Sequence, residues 1–284
     1  MNTTLVARLA RGLLAICTGA LMSTALSAEA RDLAQIRNSG TLRIGVYTDF
    51  APFSDRGNGI DVDVAQAIAA RLGLAAEVRA YDAGENMEDD LRNIVLQGRA
   101  FGVGPEASDA MLHVPVDEAF KQRNPRVRIV APYYRETLAV IRSTAMLPKL
   151  DASIDLDGQP VAAEADSLLS YALLTVDGGR LRDQVRHFHD LADSLGDLVQ
   201  GRLAAVFGTR SQIEPLKARA GAGYAMGLPP PMPNLPQAGW ALGLAVRADQ
   251  AALAGELEKA VAAMSASGEL DAIFRKHGVT RLTP

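Results

Sequence analysis

The chain predicts an α/β fold built as two similar lobes, and three observations predict it. One pattern occurs twice: Leu96-Gln97-Gly98-Arg99 and Val199-Gln200-Gly201-Arg202 each close a helix-like run, and each is followed by an apolar, strand-like run. Strand and helix signals alternate along the chain, which argues for mostly parallel sheets covered on both faces. The 284 residues, less the first 30, leave 254, more than one domain usually holds. Two small lobes facing each other make a cleft, a preferred place for a ligand.

The first 30 residues read as a secretory signal peptide. Arg8 and Arg11 precede an uncharged run over 12–28, and Ala28-Glu29-Ala30 supplies an A-x-A cleavage site. The run is short for a membrane span and no charged stop-transfer cluster follows it. Ile16 is bulky where a lipoprotein site before Cys17 takes a small residue, and cleavage after Ala30 removes Cys17, the single cysteine. Cleavage also takes two of the 29 basic and one of the 33 acidic residues, leaving 27 against 32. No strongly basic face is expected, and nucleic acid is not an expected partner.

In chain order, Leu42, Ile44 and Val46 alternate with Arg43 and Gly45 as in a strand. From Asp63 the spacing changes: Val64, Ala65, Ile68, Ala69 and Leu72 share a helical face, with Gly73 placed as a C-terminal cap. A further helix is expected over 89–97, with Leu91, Ile94 and Val95 on one face and a stop at Gly98. Met111, Leu112 and Val114 read as a buried strand, and 137–141 as another. The order restarts with a strand over 160–163, a helix from about Ser167, a polar helix over 191–199 and a strand over 203–207. Residues 227–239 hold five prolines and read as an extended connector. Strand 241–246 follows, then a helix capped by Asp249 carrying Leu253, Leu257, Val261 and Met264, and after Gly268 a last helix facing inward through Leu270, Ile273 and Phe274.

Several segments, in order, resemble one family. Thr41-Leu42-Arg43-Ile44-Gly45-Val46, Phe50-Ala51-Pro52-Phe53, Gly59-Ile60-Asp61-Val62-Asp63-Val64-Ala65, Pro132-Tyr133-Tyr134, Gly201-Arg202 and Ser267-Gly268-Glu269-Leu270-Asp271-Ala272-Ile273 are similar to family 3 extracellular solute-binding proteins, the periplasmic receptors of polar amino acid ABC transporters. The resemblance implies a type II periplasmic-binding-protein fold: two mixed or parallel sheets flanked by helices and joined by two hinge crossovers, near 137–142 and 241–246. It sets lobe 1 as 31–141 plus 241–284 and lobe 2 as 142–240.

The resemblance also implies a site. Phe50, with Phe53 near it, stands where an aromatic packs on the ligand side chain, although Phe53 reads equally well as core. An arginine nine residues before the Pro-Tyr-Tyr holds the ligand carboxylate in amino-acid-binding members, and that count lands on Arg123. A solvated basic surface with Arg126 and Arg128 is the other reading. Where the family commonly places small and hydroxyl residues, this chain has His113-Val114-Pro115-Val116-Asp117, which puts His113 beside the cleft. The second-lobe anion loop appears as Glu164-Ala165-Asp166-Ser167: Ser167 can donate at a helix start, while Asp166 repels an anion. The aspartate that receives the ligand ammonium falls on Thr209. A buried ammonium lacking an ionic partner costs several kcal/mol, so an ordinary L-amino acid held in the ordinary way is not expected.

His187 and His189 have metal-like spacing, but Arg186 beside them and the lack of a third ligand favour a solvated strand, and no metal is expected. Glu136 and Asp117 form no recognisable carboxylate pair, and Gly102 and Gly104 make no dinucleotide fingerprint. No cofactor is called. Three functions stay open. The first is a periplasmic receptor, not an enzyme and a monomer, that captures a small polar solute, amino-acid-like or a carboxylate, in an interlobe cleft for an inner-membrane ABC permease. The alternative is an accessory protein of the same fold associated with a periplasmic quinoprotein (PQQ) alcohol dehydrogenase. The third is catalysis, since some members of the family, such as cyclohexadienyl dehydratases, are enzymes. The first is the expectation carried forward.

Overall fold

The computed structural model describes residues 31–98, 106–233, 235, 236 and 238–284. Residues 1–30, where a signal peptide is expected, Arg99 of the first repeat, and Gly102 and Gly104 lie outside the described residues. Among the described residues ten strands form two five-stranded sheets. The first runs β2 (Ala75–Tyr81), β1 (Thr41–Tyr47), β3 (Ala110–Pro115), β10 (Trp240–Arg247), β4 (Val127–Glu136). The second runs β7 (Val185–Phe188), β6 (Val161–Glu164), β8 (Ala205–Thr209), β5 (Leu138–Ser143), β9 (Tyr224–Gly227). In each, three neighbouring strands are parallel and the fourth strand of the row is antiparallel to both its neighbours. The two lobes therefore share one topology, as the repeated sequence pattern implies.

The repeat falls at equivalent places. In the first lobe α1 (Leu33–Ser39) precedes β1, α2 (Ile60–Arg71) joins β1 to β2, and α3 (Met87–Asp90), continued as a π-helical turn over Leu91–Leu96, leads toward β3. In the second, α5 (Leu168–Thr175) joins β6 to β7, and α6 (Ser194–Val199) leads to β8. Each helical run buries its apolar face: Leu91, Ile94 and Val95 in one lobe, Leu195 and Leu198 in the other. Gly98 and Gly201, which end these runs, adopt φ of 70° and 72°, a conformation that glycine takes at no steric cost.

Two local expectations are corrected, and one strand is added. Helix α2 starts at Ile60 rather than Asp63, because Gly59 enters it at φ 132° where a Cβ would lie 2.2 Å from the Phe53 carbonyl oxygen. Asp249 does not cap the following helix, α8 (Ala251–Ala266); Gln250 is the cap residue, and the Asp249 carboxylate accepts from Arg247 at 3.0 and 3.3 Å. Strand β4 was not read from the sequence, although its ten residues bury Val127, Ile129, Ala131, Tyr133 and Tyr134.

Each sheet is covered on both faces. In the first lobe α2, α8 and α9 (Glu269–Lys276) enclose a core with Ile44, Tyr133, Tyr134, Leu257 and Phe274, and the opposite face holds Leu91, Ile94, Met111 and Phe120. The chain passes from the first sheet to the second at Glu136–Leu138, and returns just before Trp240, which packs against the cores of both lobes. The two crossings touch. Gly239 sits at φ 67° with the position of a Cβ 2.0 Å from the Glu136 carbonyl oxygen.

Replacing Gly239 by alanine combines left-handed strain with a backbone overlap, so Gly239→Ala is expected to lose about 2 kcal/mol or more. Gly255 in α8 faces open space, and Gly255→Ala is expected to gain about 0.5 to 1 kcal/mol. Urea unfolding of both variants checks the pair; equal effects would remove the crossing contact from this account.

Candidate functional site

The loop after β1 and the ends of β6, β7 and β8 face each other across a cleft of about 220 Å³. Ligands of open α/β sheets bind outside the carboxyl ends of strands, and each wall of this cleft lies there. The first lobe contributes Asp49, Ala51, Asp55 and Arg56, and the second Glu164, His189, Asp190 and Gln212. The loop 49–57 is held by a reciprocal pair of backbone bonds between Phe50 and Ser54, at 2.6 and 2.8 Å, and by bonds between Asp55 and Asn58. Asp49 and Arg56 take φ of 46° and 47°, sparsely populated for residues with a Cβ.

On the opposite wall, Gln212 in the first turn of α7 (Arg210–Ala220) donates from Nε2 to Glu164 Oε2 at 2.8 Å. Its Oε1 accepts from Thr209 N at 3.0 Å and Thr209 Oγ1 at 3.1 Å. Burial pushes the Glu164 carboxyl above its ordinary range; the hydrogen bond from Gln212 opposes the shift and the neighbouring Asp190 charge adds to it. Among the described residues the lining thus holds four carboxylates, Asp49, Asp55, Glu164 and Asp190, against one guanidinium, and that Arg56 donates to Asp55 at 3.2 Å. Such a lining attracts cations and repels anions.

None of the six sequence candidates is itself among these lining residues. Thr209 and Ser167 stand directly behind the second wall: Thr209 braces Gln212, and Ser167 Oγ donates to the Glu164 carbonyl at 2.8 Å while accepting from Ser170 N as the N-cap of α5. Phe50, Phe53 and His113 gather under the first wall. The Phe50 and Phe53 rings stack at 5.6 Å, and both meet the His113 ring edge-on, at 4.7 and 4.3 Å. Phe53 is 2% exposed and belongs to the core. Arg123 is not brought to the cleft: at the end of α4 (Glu118–Arg123) its side chain is 60% exposed, 3.7 Å from Glu88 and 5.6 Å from the Phe120 ring centre.

His113 lies where β10 is inserted between β3 and β4. The pairing slips at Gly243 on both sides, and Gly243 lets β10 fit, since a Cβ there would lie 2.5 Å from the Val130 carbonyl oxygen. His113 and Ala131 on the flanking strands take φ of 64° and 51°, as irregular pairing requires. The consequence is a buried polar cluster, with His113 Nδ1 3.1 Å from Asp61 Oδ2 and Tyr133 Oη donating to Asp61 Oδ1 at 2.7 Å. His187 hydrogen-bonds Ser170 at 2.8 Å, whereas His189 lines the cleft.

Behind the cleft Glu136 ties the two lobes. Its carboxylate accepts from Tyr134 Oη at 3.1 Å, from Thr137 N at 2.9 Å, and from both Ser211 Oγ and Ser211 N in the first turn of α7. Burial raises its carboxyl, and hydrogen bonds from Ser211 and Thr137 pull it part of the way back. Asp117, the other carboxylate considered from sequence, caps α4 by accepting from Phe120 N at 2.7 Å.

No protein-family model matches the chain, and no curated protein does. Solved structures match in fold. An ancestral cationic amino acid solute-binding protein aligns with a TM-score of 0.64 at 20% identity, over 86% of this chain and 97% of that one. A polar amino acid ABC uptake transporter substrate-binding protein from Streptococcus thermophilus gives 0.63 at 17% identity, over 89% and 92%. An amino acid ABC transporter substrate-binding protein from Streptococcus pneumoniae, bound to L-arginine, gives 0.59 at 19% identity, over 88% and 98%. The chain has the two-lobed fold of the amino acid solute-binding proteins of ABC transporters.

A carboxyl raised by burial is protonated in the native protein before it is in the unfolded chain. Glu136 therefore contributes most favourably below about 4.5, its ordinary value, and that contribution is lost as pH rises through the raised one. Melting temperatures of wild type and Glu136→Gln measured against pH are expected to diverge in the variant's favour as pH rises above that value. A difference constant with pH would show that Glu136 is not titrating from a buried position.

Proposed function

We propose that this chain is a periplasmic solute receptor of an ABC importer, and that its interlobe cleft takes a small cationic solute lacking a carboxylate. The observation that carries the reading is the lining itself, four carboxylates against one guanidinium already engaged by Asp55. An α-carboxylate placed there meets like charge on both walls, and Arg123, the expected carboxylate clamp, is remote from it. An ammonium or guanidinium meets Glu164 and Asp190 on one lobe and Asp49 and Asp55 on the other, so its arrival favours closure of the lobes. The solute-binding names of the fold neighbours, one cationic and one bound to L-arginine, support capture rather than turnover. In this reading residues 1–30 direct export, and the rims of both lobes meet the permease.

Thermal-shift measurements with putrescine, spermidine and agmatine, beside arginine, lysine and glutamate, test the reading. The carboxylate-free cations are expected to stabilise the protein, by about 2.7 kcal/mol at a hundredfold excess over Kd, and glutamate to leave it unchanged. Glu164→Gln with Asp190→Asn is expected to weaken them tenfold or more. Because burial raises the Glu164 carboxyl, the affinity is expected to rise with pH as that group ionises. Binding of anions alone, or an affinity indifferent to the two substitutions, refutes the cationic reading.

A further inference from the structure

Five side chains form an unbroken file of hydrogen bonds from the crossing between the lobes to the cleft. It starts at Glu136, passes through Ser211 and Thr209 at the start of α7, reaches Gln212, and ends on Glu164 in the cleft wall. Ser211 Oγ and Thr209 Oγ1 are 2.9 Å apart, and Thr209 Oγ1 is 3.1 Å from Gln212 Oε1.

The hydrogens in this file can be counted. Gln212 Oε1 faces the Thr209 backbone N–H at 3.0 Å, which can only donate, so the amide places Nε2 on Glu164 Oε2 at 2.8 Å. At the other end, Glu136 Oε1 faces the backbone N–H groups of Thr137 at 2.9 Å and Ser211 at 3.4 Å, beside Tyr134 Oη at 3.1 Å. Those N–H groups also only donate, so a proton on Glu136 belongs on Oε2, against the Ser211 hydroxyl. Three contacts lie between Glu136 Oε2 and Gln212 Oε1, and Ser211 and Thr209 bring two hydroxyl hydrogens to them. With Glu136 ionised, one contact has no hydrogen. With a proton on Oε2 all three are filled, and every hydrogen points from Glu136 toward Gln212.

The two states treat the cleft differently. In the filled state Gln212 Oε1 accepts from both Thr209 Oγ1 and Thr209 N, and hydrogen bonds in series polarise one another, so Nε2 donates more strongly to an ionised Glu164. An ionised Glu136 draws the Ser211 hydrogen, and behind it the Thr209 hydrogen, away from Gln212. No proton crosses the amide; what changes at Glu164 is the strength of one donor. Burial raises both carboxyls. Glu136, 2% exposed, is the deeper of the two and loses its proton after the half-buried Glu164. Other charged groups face the two ends. His113 on β3 draws Glu136 toward ionisation, and Arg210 and Glu214, paired at 2.7 Å in α7, act on the adjoining Tyr134. Asp190 and His189 flank Glu164.

We infer that this file is a relay through which the charge of Glu136, at the crossing, sets the affinity of the cleft for its solute, with Ser211 and Thr209 as positioning residues. Its effect on solute rests on the cationic reading of the cleft; the coupling of the two carboxyls does not.

Side-chain carboxyl ¹³C NMR of the free mature protein tests the coupling, with Glu136→Gln and Glu164→Gln assigning the two signals. The Glu164 signal is expected to titrate at its own midpoint and to show a second, smaller step at the midpoint of Glu136. Thr209→Val, which leaves the Ser211 contact with Glu136 in place, is expected to abolish the second step, and Ser211→Ala does so should the first fail to fold. Thr209→Ser keeps a hydroxyl and is expected to keep the step. A wild-type Glu164 signal blind to Glu136, or a second step that persists without either hydroxyl, overturns the relay.

Putrescine affinity measured by calorimetry against pH tests the effect on solute. In wild type it is expected to rise as Glu164 ionises and to fall severalfold as Glu136 does. A through-space effect has the opposite sign, because a new negative charge attracts a cation. The fall is expected to vanish in Glu136→Gln, whose amide can donate to Ser211 at every pH, and in Thr209→Val. An affinity that keeps rising through the Glu136 midpoint, or an equal fall in these variants, overturns the relay's effect on solute. Failure of putrescine to bind at any pH counts against the cationic cleft, and the carboxyl signals then decide the relay alone.

Discussion

The structure depends on the way two β-sheets each borrow one antiparallel strand from a crossing chain. Strand β5 enters the second sheet as soon as β4 leaves the first, and β10 re-enters the first between β3 and β4. The crossings run so close that Gly239 leaves no room for a Cβ against Glu136. Glu136 then turns its carboxylate into the first turn of α7, so the residue at the crossing also supplies an anion to a helix start in the other lobe, a favourable place for negative charge. Desolvation works against that carboxylate, and the four hydrogen bonds it accepts make the position tolerable.

Inserting β10 has a second consequence, in the first lobe. Slipped pairing at Gly243 forces His113 and Ala131 into positive φ, which takes His113 out of strand alternation and sets it beside Asp61 under Phe50 and Phe53. The aromatic and histidine residues that sequence places near a ligand thus form a buried support. The loop 49–57 above that support is what reaches the cleft.

The elements whose periodicity is local were legible. Leu42, Ile44 and Val46 mark β1, the run from Val64 to Leu72 marks α2, and the two Gln-Gly-Arg repeats mark equivalent points of two equivalent lobes. Less legible was everything fixed by distant pairing. Strand β4 carries a Pro-Tyr-Tyr that reads as a motif rather than a strand, and β10, legible as a strand over 241–246, gives no sign in sequence of its insertion between β3 and β4. Arg123 was found by counting along the chain, yet α4 ends in a cap whose geometry points its guanidinium toward Glu88 and solvent. Asp49, Asp55, Asp190 and Gln212 gave no motif, and His189 only a metal-like spacing with His187 that points elsewhere. Their shared signal is positional: each follows a strand or opens the next helix.

Electrostatics then gives the cleft a direction. In the proposed receptor, closure moves Asp49 and Asp55 toward Glu164 and Asp190, and like charges about 4 Å apart repel by roughly 1 kcal/mol in water and about 4 kcal/mol near a protein surface. The second wall is already crowded with negative charge, since Asp190 on the same lobe helps to raise the Glu164 carboxyl. An empty cleft therefore resists closing, and a cation entering it both removes the repulsion and gains attraction from each wall. A neutral solute relieves nothing and an anion adds to the strain. The acidic lining selects its solute through the cost of the closed state as much as through contact in the open one.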